Sequence, residues 1–67
     1  MVTYKYVIIN DCGQFYWKGN VSSLYGFKDD FDDAYLFKTE KSANQRIKSL
    51  NTPNLKVGKV KVEFIED

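Results

Sequence analysis

The chain opens with an unbroken run of β-branched and aromatic residues, Val2-Thr3-Tyr4-Lys5-Tyr6-Val7-Ile8-Ile9, which predicts a strand over residues 2–9. Asn10-Asp11-Cys12-Gly13 follows, with Gly13 placed to take positive φ at the end of a three-residue hairpin loop. Residues 14–18 then return as a second strand. With Asp11–Gly13 as the loop, Ile9 faces Phe15, Ile8 faces Tyr16 and Val7 faces Trp17. Alternate strand residues point to opposite faces. The register therefore sorts Val7, Ile9, Phe15 and Trp17 onto one face and Tyr4, Tyr6, Ile8 and Tyr16 onto the other. The first set is purely apolar and is expected to be buried. The second is rich in tyrosine, which tolerates a wet edge.

Residues 19–33 mix loop formers (Gly19, Asn20, Ser22, Ser23, Gly26) with Val21, Leu24, Tyr25, Phe27 and Phe31, and read as a packed surface loop with room for a short strand or helical turn. Tyr35-Leu36-Phe37 leads into Thr39, a good N-cap, with Glu40 favourably placed in the first turn. A helix is expected over residues 40–50, with Ala43, Ile47 and Leu50 on one stripe and Lys41, Gln45 and Lys48 opposite. Asn51 suits the C′ position and Pro53 stops continuation. A last strand over about 55–65 alternates Val60, Val62 and Phe64, as the buried side, with Lys59, Lys61 and Glu63.

The resulting fold class is α+β: one domain spanning 1–67, a small antiparallel sheet of three to four strands with one helix packed on one face, in ββ-loop-αβ order. The opposite sheet face, expected to carry Tyr4, Tyr6, Ile8, Lys59 and Lys61, has no second layer from this chain.

Composition narrows the function more by exclusion than by assignment. At 67 residues the chain has room for one small core, and its 43% apolar content argues against disorder. No apolar stretch is long enough to span a membrane or to serve as a signal peptide, so a cytoplasmic location is expected and the sequon Asn20-Val21-Ser22 carries no meaning. A single cysteine, Cys12, permits no internal disulfide. Formal net charge is +1, split into −2 over residues 1–37 and +3 over residues 38–67, too little to imply nucleic acid by bulk electrostatics.

No catalytic set assembles. Histidine is absent, removing the commonest general base and metal ligand. Cys12 has no histidine partner, and the serines lie in no nucleophile-elbow context. There is no P-loop or dinucleotide fingerprint. The acidic cluster Asp29-Asp30-Phe31-Asp32-Asp33 invites a calcium reading. Counted from Asp29, however, Phe31 falls at loop position 3 and Ala34 at position 6, where an oxygen ligand and a glycine are needed. No metal and no cofactor are expected.

What remains is a contact surface. Tyr4, Tyr6 and Tyr16 are the candidate partner-binding anchors on the open face. Asp29, Asp30, Asp32 and Asp33 would steer a basic partner toward an inserting Phe31. Self-association through the same face, to a homodimer, would compete. Tyrosines beside lysines on a small sheet are also the ingredients of single-stranded nucleic-acid binding, the alternative reading.

The stretch Ala34-Tyr35-Leu36-Phe37-Lys38-Thr39-Glu40-Lys41-Ser42-Ala43, set between a hairpin and a final strand, resembles an A-x-x-F-x-T pattern of very small bacteriophage and mobile-element proteins. The Lys- and Tyr-rich, Arg-poor composition is similar to that of phages of low-GC Gram-positive hosts. The resemblance implies a non-catalytic inhibitor of a host protein, such as a CRISPR-associated or other defence nuclease, acting by occlusion in the host cytoplasm.

Overall fold

A computed structural model describes residues 2–19 and 24–65. Four strands form one antiparallel sheet: β1 (Val2–Ile9), β2 (Phe15–Lys18), β3 (Tyr25–Lys28) and β4 (Lys56–Glu63), in the order β3-β2-β1-β4. A single helix, α1 (Glu40–Leu50), lies between β3 and β4 in sequence and covers one face. The α+β class, the first strand and the helix are as the periodicity predicts. Among the described residues no helix is long and apolar enough to cross a membrane.

Local chemistry explains the element boundaries. The hairpin loop is held by Asn10, whose Oδ1 accepts from the backbone N–H of Cys12 (3.0 Å) and Gln14 (2.8 Å). Gly13 takes φ 79° there. Thr39 N-caps α1, its Oγ1 accepting from Ser42 N–H at 3.1 Å. Asn51 ends the helix in the left-handed region at φ 52°. Thr39→Ala should cost about 1 kcal/mol, read as a lower thermal midpoint with the folded far-ultraviolet spectrum unchanged.

The hairpin register is Ile9 opposite Phe15. Beyond that pair the strands part, and the expected Ile8–Tyr16 and Val7–Trp17 pairings do not form. The segment 35–37 takes the slot. Tyr6 N–H donates to Phe37 C=O (2.9 Å), Phe37 N–H donates to Tyr6 C=O (2.8 Å), and Tyr35 N–H donates to Tyr16 C=O (2.9 Å). The inserted segment thus satisfies the N–H and C=O of Tyr6 and the C=O of Tyr16. The same insertion carries Phe37 into the core.

Residues 24–33, expected as a packed loop with room for a short strand or helical turn, contain both: β3 and a 3₁₀ turn at Phe31–Asp33. The loop positions 20–23, including Val21 and the sequon, lie outside the described residues. β3 pairs with β2 residue for residue, Phe15 with Lys28, Tyr16 with Phe27, Trp17 with Gly26 and Lys18 with Tyr25.

The core corrects the expected orientation of the sheet. Ile8, Tyr16, Phe37 and Ala43 are buried together, with Tyr6, Phe27, Ile47, Leu50, Leu55 and Val57 packed around them. The helix therefore covers the face with Ile8 and Tyr16, not the face with Phe15 and Trp17. Of the four residues expected inside, Val7 is buried all the same, and Ile9, Phe15 and Trp17 are half-buried. Tyr16 is wholly inaccessible. Its ring stacks on Phe37 (6.0 Å, 23°) and meets Phe27 (6.0 Å, 64°) and Tyr35 (6.5 Å, 76°) edge-on. An aromatic ring offers more burial than a valine or isoleucine. Phe27 and Phe37 supply the aromatic surroundings that favour putting Tyr16 inside.

Candidate functional site: the uncovered sheet face

Cross-strand pairing identifies what the uncovered face carries. Directly opposite residues share a face. Lys28, Phe15, Ile9 and Lys56 form one row across the sheet, followed by Gly26 and Trp17 on β3–β2 and by Val7 and Gly58 on β1–β4. Along the β1–β4 ribbon come Lys5 with Val60 and Thr3 with Val62. Alternation makes β2 and β4 amphipathic toward this face, whereas β1 is apolar on both faces, with Val7 and Ile9 here and Val2, Tyr4, Tyr6 and Ile8 opposite. This is the side without a helix. Val60 and Val62, expected to be buried beneath the helix, belong to this face and are half-buried.

Two glycines shape the surface. A Cβ on Gly26 would lie 2.8 Å from Trp17 Nε1, so the indole rests over the β3 backbone where a side chain would stand. A Cβ on Gly58 would meet Ile9 Cδ1 at 3.0 Å and Val7 Cγ2 at 3.2 Å, so both side chains lean across β4. The apolar centre is thereby spread flat over four strands. Gly26→Ala should displace the indole, shifting the emission maximum of the chain's one tryptophan with little change in far-ultraviolet circular dichroism.

The rim is basic. Lys28 Nζ sits 4.8 Å from the Trp17 ring centroid, a cation–π distance. Lys5 and Lys56 flank the apolar rows on β1 and β4. None of the described strand residues on this face is acidic. The acidic segment lies beside it. Asp30 Oδ1 accepts from Asp32 N–H (3.0 Å) and caps the 3₁₀ turn, and the Phe31 ring packs edge-on against Phe15 at 5.4 Å. Asp29, Asp30, Asp32 and Asp33 are exposed, and Phe31 is partly anchored, extending the Phe15 surface rather than standing free.

The tyrosines expected to form the interface sit on the helix side. Tyr16 is in the core, and Tyr6 packs against it. Tyr4 alone is exposed, with Lys59 Nζ 4.4 Å from its ring centroid. Their grouping with Lys59 on one face is as expected, since Tyr6 opposes Lys59 and Tyr4 opposes Lys61. The face that lacks a second layer is the other one. Phe15 and Trp17 were legible as a pair on one face, but only the location of the helix shows that this face is open.

Among the described residues, no cluster of acidic, cysteine or histidine side chains has the composition of a metal site. Cys12 is exposed on the hairpin loop. The fold is that of a small α+β domain with its helix on one face of the sheet. No protein-family model, no curated protein and no solved structure matches the chain.

Proposed function

We propose that this chain is a non-catalytic binding module that docks a protein partner onto the uncovered sheet face, with Trp17, Phe15 and Phe31 as aromatic anchors. One observation carries the reading: Phe15 and Trp17 of β2, Val7 and Ile9 of β1, and Val60 and Val62 of β4 share the side on which the described residues place no second layer. An amphipathic strand gains little by turning its apolar side to water. The lysine rim selects the partner's chemistry, an apolar patch edged with carboxylates. Face-to-face pairing of two copies would bring Lys5, Lys28 and Lys56 against a like-charged face, so a different protein fits better than a second copy. In the setting implied by the resemblance to phage proteins, the partner is a host protein blocked by occlusion, a defence nuclease among the candidates.

The second reading, single-stranded nucleic acid, is favoured by one feature: an indole resting over a strand beside a lysine offers a ring for a base to stack on. The acidic turn next to Phe15 opposes it.

Trp17 reports on all of these. Capture from a bacterial lysate should retain a defined protein that is lost with Trp17→Ala and with Lys28→Glu but kept with Tyr4→Ser. Sedimentation should show a monomer. Oligonucleotides should leave Trp17 emission unchanged at low salt. A capture profile indifferent to Trp17 and Lys28 would sink the proposal. Quenching that fades steeply with salt would transfer it to nucleic acid, and a dimer dissolved by Trp17→Ala would transfer it to self-association.

A further inference from the structure

A second site lies on the other side of the sheet. Along the flank of α1, between the helix and the inserted segment 35–37, runs a groove of about 400 Å³ lined by Tyr35, Phe37, Ser42, Gln45, Arg46 and Ser49. Its volume is in the range of small-molecule sites. No acidic residue lines it, and its cation, Arg46, is half-buried.

Three further features describe what it would take. Ser42 Oγ accepts a hydrogen bond from Thr39 Oγ1 (2.9 Å), which leaves the Ser42 hydroxyl proton free to donate. The rings of Tyr35 and Phe37 meet edge to face at 4.7 Å, giving the groove an aromatic wall, and Lys18 Nζ stands 5.4 Å from the Tyr35 centroid. Behind that wall the wholly buried Tyr16 ring packs against both, holding it in place.

We infer that this groove binds a small ligand carrying one oxyanion, carboxylate or phosphate, on a flat apolar body. The oxyanion pairs with Arg46 and accepts from the Ser42 hydroxyl, while the body lies along Tyr35 and Phe37. The site is independent of the uncovered face, and its failure would leave the partner-docking proposal standing.

The test is an amide-resonance titration of the full chain at fixed ionic strength with phenyl phosphate, benzoate, inorganic phosphate and benzyl alcohol. At least one ring-bearing anion should give saturable shifts at Tyr35, Phe37, Ser42, Arg46 and Ser49, stronger than inorganic phosphate. Benzyl alcohol should give none. Whether phenyl phosphate or benzoate binds more tightly identifies the oxyanion. Arg46→Gln should weaken binding about tenfold or more, as expected for a lost charge-assisted bond, and Arg46→Lys should restore part of it. Ser42→Ala, at an exposed position where the fold is not at risk, should also weaken binding without lowering the melting point of the free protein. The inference is overturned if no anion saturates, or if Arg46→Gln and Ser42→Ala bind as the wild type does.

Discussion

Tyr16→Ala unfolds the domain. The ring is inaccessible and touches Tyr25, Phe27, Tyr35 and Phe37, so truncation removes the centre of the aromatic cluster. Replacing a buried aromatic by alanine costs about 3–5 kcal/mol. A single core in a chain of this size rarely supplies more than about 3–5 kcal/mol in total. The variant should therefore lack a cooperative thermal transition and near-ultraviolet ellipticity. The outcome separates the two possible orientations of the sheet, because an exposed interface tyrosine would be replaced at little cost. A folded Tyr16→Ala protein would place the helix on the wrong face.

Alkaline pH probes the same residue from the opposite direction. Burial raises the Tyr16 pKa above the ordinary value of 10.0. Below that value the phenol is neutral in both folded and unfolded chains and contributes no pH dependence. Above it the unfolded chain loses the proton first, so the contribution of Tyr16 to stability falls as pH climbs through the folded-state pKa. Tyr16→Phe should remove that part of the alkaline loss, measured as the thermal midpoint between pH 9 and 11, about one unit on either side of the ordinary tyrosine value.

The locally encoded features were legible in the sequence. Val2–Ile9 and Glu40–Leu50 are bounded by signals within a few residues: the β-branched run and Asn10 for the strand, Thr39 and Asn51 for the helix. The Ile9–Phe15 register follows from loop length alone. The covered side of the sheet is not a local property. Parity divided the side chains correctly, but the choice of inner set depends on β3 and on the 35–37 insertion, which bring Phe27 and Phe37 to the Tyr16 side. Neither has a strong period of its own: β3 contains a glycine in four residues, and Tyr35–Phe37 is too short to show one. Ranking the faces by apolarity therefore placed the helix over Phe15 and Trp17 instead of over Ile8 and Tyr16. The charged side of β4 misled for the same reason. Lys59 and Lys61 sit on the helix side of the sheet but remain exposed, and Lys59 lies over Tyr4.

With the faces so assigned, Trp17→Ala should produce the largest loss in partner binding of any single truncation on the uncovered face. Interface energy concentrates in a few aromatic or arginine anchors near the centre of a patch, each worth about 2 kcal/mol or more when truncated. Trp17 meets that description. It lies on an interior strand, rests over Gly26 and is flanked by Lys28. An affinity loss of roughly 30-fold or more corresponds to that energy and should appear mainly in the dissociation rate. Lys28→Glu should act differently. A rim charge chiefly guides encounter, so its reversal should slow association and weaken the salt dependence while changing dissociation less. Surface plasmon resonance on the captured partner, with circular dichroism of each variant, distinguishes the two effects. Tyr4→Ser, on the helix side, should leave both rates unchanged. Equal losses from Tyr4→Ser and Trp17→Ala would mean that the partner wraps the end of the β1–β4 ribbon, and the uncovered face would lose its place as the docking surface.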